Sequence, residues 1–281
     1  MVDSLALNHV AQTGGSFAHL RLFGSLGFIL AATSFGLMVK KVDRSAILVA
    51  VALLAALAAW SLSLRSRAAS GGTPHPLAGL RLLRDNKDLR WLLAATGLHW
   101  MACTPYNGML AIHVLALGLS PSVVGICAGM GVAAEVAAML LYPHLADRIA
   151  PRHLLCLSFV LSAVRWGGMA LVSSPVLIVA LALLHSMSFG IFYVSSVAFM
   201  ARRVPQHLRA SGQGLFTSVT FGVGGLIGFS ASGAAYSLLG GGHALFAVAG
   251  VLELLAAMLV LQASPAPTST PQGEPIPPAS P

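Results

Sequence analysis

Long apolar stretches dominate this sequence and limit what the chain can fold into. Cutting the sequence at its Pro, Gly and charged clusters leaves eight stretches of about twenty residues, the length at which one α-helix crosses a hydrocarbon core of about 30 Å. They cover residues 22–39, 45–64, 90–116, 121–146, 153–172, 176–200, 210–238 and 243–262. The sequence therefore predicts an all-α integral membrane protein with eight transmembrane helices.

The composition also argues against a soluble domain. Of the 281 residues, 57% are hydrophobic and 9% are charged, whereas soluble domains are about one quarter charged. The formal net charge of +8 does not indicate nucleic-acid binding, because the basic residues are distributed between apolar stretches. Cys103, Cys127 and Cys156 all fall in apolar stretches, and we expect no disulfide.

The basic residues predict an orientation in the membrane. If successive loops alternate sides, the larger group lies on the side that holds the C-terminal tail, and that side is cytoplasmic. It comprises Arg21, Arg65, Arg67, Arg81, Arg84, Lys87, Arg90, Arg148, Arg152, Arg202, Arg203 and Arg209, against Lys40, Lys41 and Arg44 on the other side.

The seventh apolar stretch is unusually rich in glycine. Its glycines are Gly212, Gly214, Gly222, Gly224, Gly225, Gly228 and Gly233. Glycine removes side-chain bulk and lets a second helix approach closely where lipid gives no hydrophobic drive for packing. Static close packing is one interpretation, and a moving hinge is the alternative.

Three short segments carry a family resemblance. Residues 21–28 read Arg-Leu-Phe-Gly-Ser-Leu-Gly-Phe, residues 145–148 read Leu-Ala-Asp-Arg and are followed by Arg152, and residues 204–210 precede the glycine-rich stretch. They resemble the fifth-helix start, the cytoplasmic loop signature and the approach to the eleventh helix of the major facilitator superfamily. The most similar branch comprises phenylpropionate permeases and nucleoside–proton symporters. Pro143 and Ala150 stand where the loop signature has glycines.

This resemblance implies a domain organisation. The eight spans would correspond to helices five to twelve of a twelve-helix transporter, and the first four helices would be lacking. Residues 1–20 would be a remnant of a preceding helix and loop, and 21–64 two helices of an incomplete N-terminal half. Residues 65–89 would form the central cytoplasmic loop, 90–262 the six-helix C-terminal half, and 263–281 a disordered cytoplasmic tail rich in Pro, Ser and Thr.

The resemblance implies secondary active transport of a small organic solute, of aromatic carboxylate or nucleoside type, in the inner membrane of a bacterium. Alternating access follows from the same resemblance, and proton coupling is the hypothesis that Glu135 suggests, as described below. The alternative is a non-transporting remnant, or a subunit that needs a separate chain for the missing helices. We expect no enzyme, cofactor or metal, because the chain has no zinc-peptidase motif, nucleophile elbow or phosphate loop.

Three ionisable residues, Glu135, Arg165 and Glu253, fall near the middle of predicted spans. A centred charge costs about 2.5 to 3.5 kcal/mol on insertion scales, so such residues usually face a cavity or each other. Glu135 lies among small residues and could bind and release a proton. Arg165 keeps its charge and needs a carboxylate partner, from Glu135 or from a substrate. For both, a structural ion pair between helices is the alternative, and Glu253 could instead face water on the lipid side.

Further site candidates are His99, Tyr106 and His185, which could line the same cavity. The alternative for the two histidines is a hydrogen bond to a neighbouring helix, and for Tyr106 a packing role. The loop resemblance carries a gating role to Asp147, Arg148 and Arg152.

Overall fold

The computed structural model describes residues 15–38, 44–63, 78–205 and 208–264, together with Ala6, Val10 and Thr13. Within these segments every regular element is helical. The helices are α1 (Phe17–Met38), α2 (Arg44–Ser63), α3 (Ala78–Asp85), α4 (Lys87–Ala116), α5 (Ser122–Ala146), α6 (Pro151–Leu171), α7 (Pro175–Ala201), α8 (Arg209–Leu238) and α9 (Gly242–Val260). Most of the predicted N-terminal remnant, Lys40, Lys41, residues 64–77 and the tail beyond Ser264 lie outside the described residues.

Five of these helices, α5 to α9, are long and apolar enough to cross a membrane. The all-α membrane architecture is therefore confirmed. Each of the eight predicted stretches falls on a helix, but spanning by all eight stays a prediction. Helix α4 has 30 residues, and polar residues such as His99, Asn107 and His113 interrupt its apolar sequence.

A helix also lies within the connection that we predicted as the loop 65–89. Helix α3 forms because Leu82 and Leu83 pack toward the bundle while Arg81 and Arg84 are exposed. Asn86 then separates α3 from α4, and its side chain accepts a hydrogen bond from the Leu89 N–H at 3.0 Å, which caps α4.

The exterior and interior of the bundle are reversed in polarity relative to a soluble protein. Large apolar side chains such as Leu171, Leu226 and Leu238 are exposed, and the side chains of α2 from 51 to 60 are exposed as well. Glu135, Arg165 and Glu253 are buried instead. This distribution suits a hydrocarbon solvent, in which apolar side chains face outward and polar groups find partners inside.

Close helix contacts assemble the six helices α4 to α9. Helix α9 packs on α6 and α4, α8 packs on α4, and α1 packs on α5. Helices α7 and α8 each contain a π-helical turn, at Ser186–Ile191 and Ser218–Gly224. Such turns often occur at functional sites, and the first of them faces Glu135 of α5, since the position of a Gly190 Cβ would lie 3.2 Å from Glu135 Cγ.

The start of α4 and the end of α9 lie together at one end of the bundle. Arg203, just after α7, is 3.0 Å from the Asp88 carboxylate at the start of α4, and the Ser264 N–H donates to Asp88 Oδ1 at 2.8 Å. Arg152 at the start of α6 donates to the Ala263 carbonyl at 2.6 Å. The segment after α9 is thus hydrogen-bonded to residues at the ends of three other helices, α4, α6 and α7. This is the end of the bundle that carries Arg152 and Arg203.

We expect Asp88→Asn to lower the free energy of unfolding by about 1 to 2 kcal/mol at neutral pH, because it removes a charged acceptor that is largely shielded from solvent. Asp88 lies before the apolar part of α4. Burial alone would raise the pKa of its carboxyl, but the Ser264 N–H and Arg203 hold this pKa below its ordinary value. The stabilisation is therefore present above the ordinary pKa and is lost as the pH falls through the lowered one.

Thermal unfolding in detergent across an acidic pH series would measure this effect. The matched control is Asp85→Asn, because Asp85 is exposed and pairs with the adjacent Arg84. Equal stability of the Asp88 and Asp85 variants at neutral pH would contradict the prediction.

Candidate functional site

A cavity of about 320 Å³ lies between α1 and helices α4 to α7. Aromatic rings form much of its wall, with a few polar and charged groups, which is the usual character of a small-molecule site. Its lining residues are Arg21, Gly24, Ser25, Trp100, Cys103, Tyr106, Asn107, Val132, Glu135, Arg165, Trp166, His185, Ser188 and Phe189. Four sequence-predicted site residues, Glu135, Arg165, Tyr106 and His185, are among them.

The Glu135 carboxylate is held by side chains from two other helices. Ser25 Oγ of α1 donates to Glu135 Oε1 at 2.7 Å, and His185 Nε2 of α7 lies 3.4 Å from Oε2. Small residues make this approach possible, because a Cβ at Gly131 would lie 3.1 Å from His185 Cβ. The expected ion pair between Glu135 and Arg165 does not form, since Ser25 and His185 occupy the carboxylate oxygens.

Arg165 of α6 is 1% exposed and has no carboxylate partner in the described part of the chain. Its Nη1 donates to Ser188 Oγ at 3.2 Å. Its Nε and Nη2 atoms are buried and lack a hydrogen-bond partner among the described residues. The guanidinium carbon lies 4.1 Å from the ring centre of Tyr106 and 4.4 Å from that of Trp166, which stabilises the cation.

The two unpaired atoms of Arg165 share one edge of the guanidinium plane. Nε–H and Nη2–H on that edge form a planar fork that matches the two oxygens of a carboxylate. A buried donor without a partner costs about 1 to 3 kcal/mol, more for a charged group. Such an unpaired fork, on a residue that lines the cavity, is therefore suited to an anionic ligand that supplies the missing acceptors.

Glu253 and His99 lie beside this cavity and not in its wall. His99 Nδ1 is 2.7 Å from Glu253 Oε2, and both side chains are completely buried. His99 Nε2 donates to the Ser188 carbonyl at 2.9 Å, and Trp166 Nε1 donates to Glu253 Oε1 at 3.0 Å. Contrary to the expectation that His99 lines the cavity, the rings of Phe159 and Phe192 enclose it. Glu253 does not face the lipid side.

Sequence reasoning missed Ser25 and Ser188, which hydrogen-bond to Glu135 and Arg165 respectively. Ser25 lies in the segment 21–28 that carries the family resemblance, one helical turn after Arg21, but that resemblance does not indicate a contact with Glu135; Ser188 has no such local signal. The sequence predicts Arg21 at the very start of the first span, on the cytoplasmic side, whereas α1 begins at Phe17 and Arg21 lies inside it. Its guanidinium carbon lies 5.1 Å from the Tyr193 ring centre and 5.6 Å from that of Phe189, and it lines the cavity.

The predicted loop motif lies at the end of the bundle, away from the cavity. Asp147 is the C-terminal cap of α5, Arg148 follows in the turn, and Arg152 holds the segment after α9. This geometry connects α6 to α9. The gating role of these three residues stays a prediction.

An apolar exterior around a polar, aromatic cavity defines a multi-pass membrane protein with a site of small-solute size. The comparison with protein families names the group: the model of the MFS_1 like family matches residues 1–248, and the chain belongs to this family. The resemblance to major facilitator permeases is thereby confirmed.

Several curated relatives agree with this assignment. The chain is 28% identical to a maltose permease of Geobacillus stearothermophilus over 79% of this chain and 57% of the permease. It is 27% identical to a probable 3-phenylpropionic acid transporter of Escherichia coli over 92% of this chain and 68% of that protein. It is 24% identical to the xanthosine permease of Escherichia coli over 83% of this chain and 61% of the permease.

These relatives are permeases and transporters, and the family is one of transporters and not of enzymes. The chain spans 57% of the length of the maltose permease.

Proposed function

We propose that this protein acts in secondary active transport of a small organic anion across the membrane. The observation that carries the proposal is the open fork of Arg165, a buried cation at the cavity wall whose Nε and Nη2 have no acceptor among the described residues. In this role Arg165 binds the substrate carboxylate through two charge-assisted hydrogen bonds. Ser188 orients the guanidinium through Nη1.

Aromatic walls favour an aromatic carboxylate as the solute. Trp100, Tyr106, Trp166 and Phe189 line the cavity, and flat rings pack well against a planar substrate. Among the relatives, one is named for 3-phenylpropionic acid and one for xanthosine. A nucleoside would also stack on these rings, but it would leave the Arg165 fork without an anion.

Glu135 is the proposed proton-carrying group. It is buried beside the cavity, and its partners Ser25 and His185 belong to two different helices. Protonation of the carboxylate would remove its attraction for His185 and change the contacts that join α1 and α7 to α5. A proton taken up there can thus be coupled to a rearrangement of the cavity walls.

The proposed transport cycle is alternating access. In it, α1 and α2 correspond to helices five and six of the superfamily, and α4 to α9 correspond to helices seven to twelve. The position of the cavity between α1 and the six-helix bundle supports this correspondence, because transporter sites lie where two structural repeats meet. The proposed location is the inner membrane of a bacterium, with the Arg152 end cytoplasmic.

The substitution Glu135→Gln is expected to abolish solute-driven proton uptake while solute binding persists, because the amide keeps the size of the side chain but cannot carry the proton. Full-length protein in proteoliposomes with an internal pH indicator would measure this with 3-phenylpropionate as the probe solute. Asp85→Asn, at an exposed carboxylate, is the matched control. Unchanged proton uptake in the Glu135 variant would contradict the proposal that Glu135 carries the coupled proton.

Transport itself requires a separate test. Counterflow measures exchange of labelled 3-phenylpropionate without any proton gradient, so it separates solute passage from coupling. A panel with xanthosine and maltose as competitors would rank the three solute classes. If none of the three competes and no counterflow occurs, the transport proposal fails for these solutes.

A further inference from the structure

We propose that His99, Cys103 and Glu253 form a binding site for a thiophilic divalent cation of the Zn²⁺ type, next to the cavity but separate from the Arg165 fork. The histidine nitrogen, the cysteine sulfur and the carboxylate oxygen all lie within 4.8 Å of one another, and all three side chains are buried. No local sequence motif predicts a metal here, because Glu253 is 150 residues from Cys103. This inference does not depend on the proposed solute.

The ligand atoms are already close to the separations that one ion requires. Zinc bonds of about 2.0 to 2.3 Å in a tetrahedral site place neighbouring ligand atoms about 3.3 to 3.8 Å apart. Cys103 Sγ lies 3.9 Å from Glu253 Oε1, and His99 Nδ1 lies 2.7 Å from Glu253 Oε2. Cys103 Sγ also lies 3.6 Å from the other ring nitrogen, His99 Nε2. The histidine–carboxylate pair has to open, and the ion would replace the proton that joins them.

Helical spacing supplies two of the ligands from a single element. His99 and Cys103 are four residues apart on α4, so they project from the same face of the helix. Glu253 projects from α9, which packs along α4. Three protein ligands leave one coordination position open, as in zinc sites that also bind water or a small molecule.

Hydrogen bonds to surrounding groups orient two of the three ligands, His99 and Glu253. His99 Nε2 faces the Ser188 carbonyl at 2.9 Å, and since a carbonyl can only accept, Nε2 carries the hydrogen. In neutral histidine this leaves the Nδ1 lone pair directed at Glu253. Trp166 Nε1 donates to Glu253 Oε1 at 3.0 Å and orients the carboxylate. A second ring nitrogen bonded to a backbone carbonyl and a hydrogen-bonded carboxylate are the usual outer partners of metal ligands.

Charge balance also favours a divalent ion in this buried position. Without metal, the cluster is neutral when one proton is shared by His99 and Glu253 and Cys103 keeps its thiol proton. Binding of M²⁺ releases both protons and leaves neutral His99, the Glu253 carboxylate and the Cys103 thiolate. The charge summed over the ion and its three ligands is zero in both states, so binding adds no net charge to the cluster.

The neighbouring cavity offers an entry path. Cys103 and Ser188 belong to its wall, whereas His99 and Glu253 lie behind them. A thiolate and an imidazole select Zn²⁺, Co²⁺ or Cd²⁺ over Mg²⁺ and Ca²⁺, which prefer oxygen ligands. A bound ion would join α4 to α9 and stabilise this part of the bundle.

The test uses full-length protein without a histidine tag, freed of metal by chelator and titrated with Co²⁺. We expect one equivalent to produce the near-ultraviolet charge-transfer band of a cobalt–thiolate bond, release of two protons per ion, and displacement by Zn²⁺ but not by Mg²⁺. Cys103→Ser should abolish the band and weaken Zn²⁺ binding at least tenfold. Cys127→Ser, at a buried cysteine outside both the cluster and the cavity wall, should leave both unchanged.

Two outcomes would overturn the proposal. One is Co²⁺ binding without a thiolate band, which would assign the ion to other histidines such as the edge-to-face pair His113 and His243. The other is equal Zn²⁺ affinity in the Cys103 and Cys127 variants. Because Cys103→Ser changes one atom, its thermal stability without metal should match that of the unmodified protein, and this measurement separates lost binding from misfolding.

Discussion

Replacing Arg165 with Lys is expected to reduce uptake of an anionic solute about a hundredfold in kcat/KM. Lysine keeps the positive charge but presents a point charge in place of the planar fork of Nε and Nη2. It also gives up the placement of the guanidinium over the Tyr106 and Trp166 rings. Loss of one to two charge-assisted hydrogen bonds amounts to about 3 kcal/mol, and each 1.36 kcal/mol is about tenfold in rate.

The measurement compares a carboxylate solute with its neutral amide in the same proteoliposomes. If Arg165 binds the carboxylate, Arg165→Lys should slow the acid far more than the amide. If Arg165 only joins helices, both solutes should slow equally and thermal stability should fall. Arg81→Lys on the exposed face of α3 is the matched control, because it makes the same exchange away from the cavity. Equal losses for acid and amide would contradict the binding role.

The helices could be predicted because their signal is local. A membrane span is set by the length and polarity of one continuous stretch, and the predicted stretch 121–146 differs from α5, Ser122–Ala146, by one residue. The predicted and observed helix boundaries differ where polar residues extend a helix beyond its apolar stretch. Helix α4, for example, begins at Lys87 and not at residue 90. The short helix α3 was missed because eight residues are too few for the span criterion.

The presence of charged site residues was predictable, but their partners were not. The cost of burying Glu135 and Arg165 makes each conspicuous in an apolar stretch. Which groups satisfy them depends on how each helix is rotated about its axis, and that rotation is set by contacts distant in sequence. Ser25 reaches Glu135 from 110 residues away, and Ser188 reaches Arg165 from 23 residues away. The residues around each serine do not indicate which charged group it contacts.

The same limit explains the His99–Cys103–Glu253 cluster. The spacing of His99 and Cys103 on one helical face is readable from the sequence, but an isolated pair of this kind is common. The third ligand becomes apparent only when the packing of α9 on α4 is known. Glu253 therefore seemed suited to the lipid side when considered alone, although it is completely buried.

Gly224→Ala and Gly228→Ala are each expected to lower the free energy of unfolding by about 1 to 3 kcal/mol, the range for overfilling a packed interface. A Cβ at Gly224 would lie 2.6 Å from the Gly97 carbonyl oxygen, which is backbone and cannot turn away. A Cβ at Gly228 would lie 2.5 Å from Thr104 Oγ1 and 2.9 Å from Met101 Cα. The two glycines are four residues apart, the spacing at which small residues let membrane helices approach closely.

Gly222→Ala is the matched control, because the Gly222 position has nothing within 4 Å of an added Cβ. Alanine there should leave stability unchanged or raise it, since alanine favours a helix more than glycine does. Thermal unfolding in detergent separates close packing from a hinge. If the glycines serve packing, the penalty follows the steric contact, so Gly224 and Gly228 variants unfold several degrees earlier and the Gly222 variant does not. If the helix also serves as a hinge, Gly222→Ala keeps its stability but loses transport rate, because alanine stiffens the helix without any steric contact.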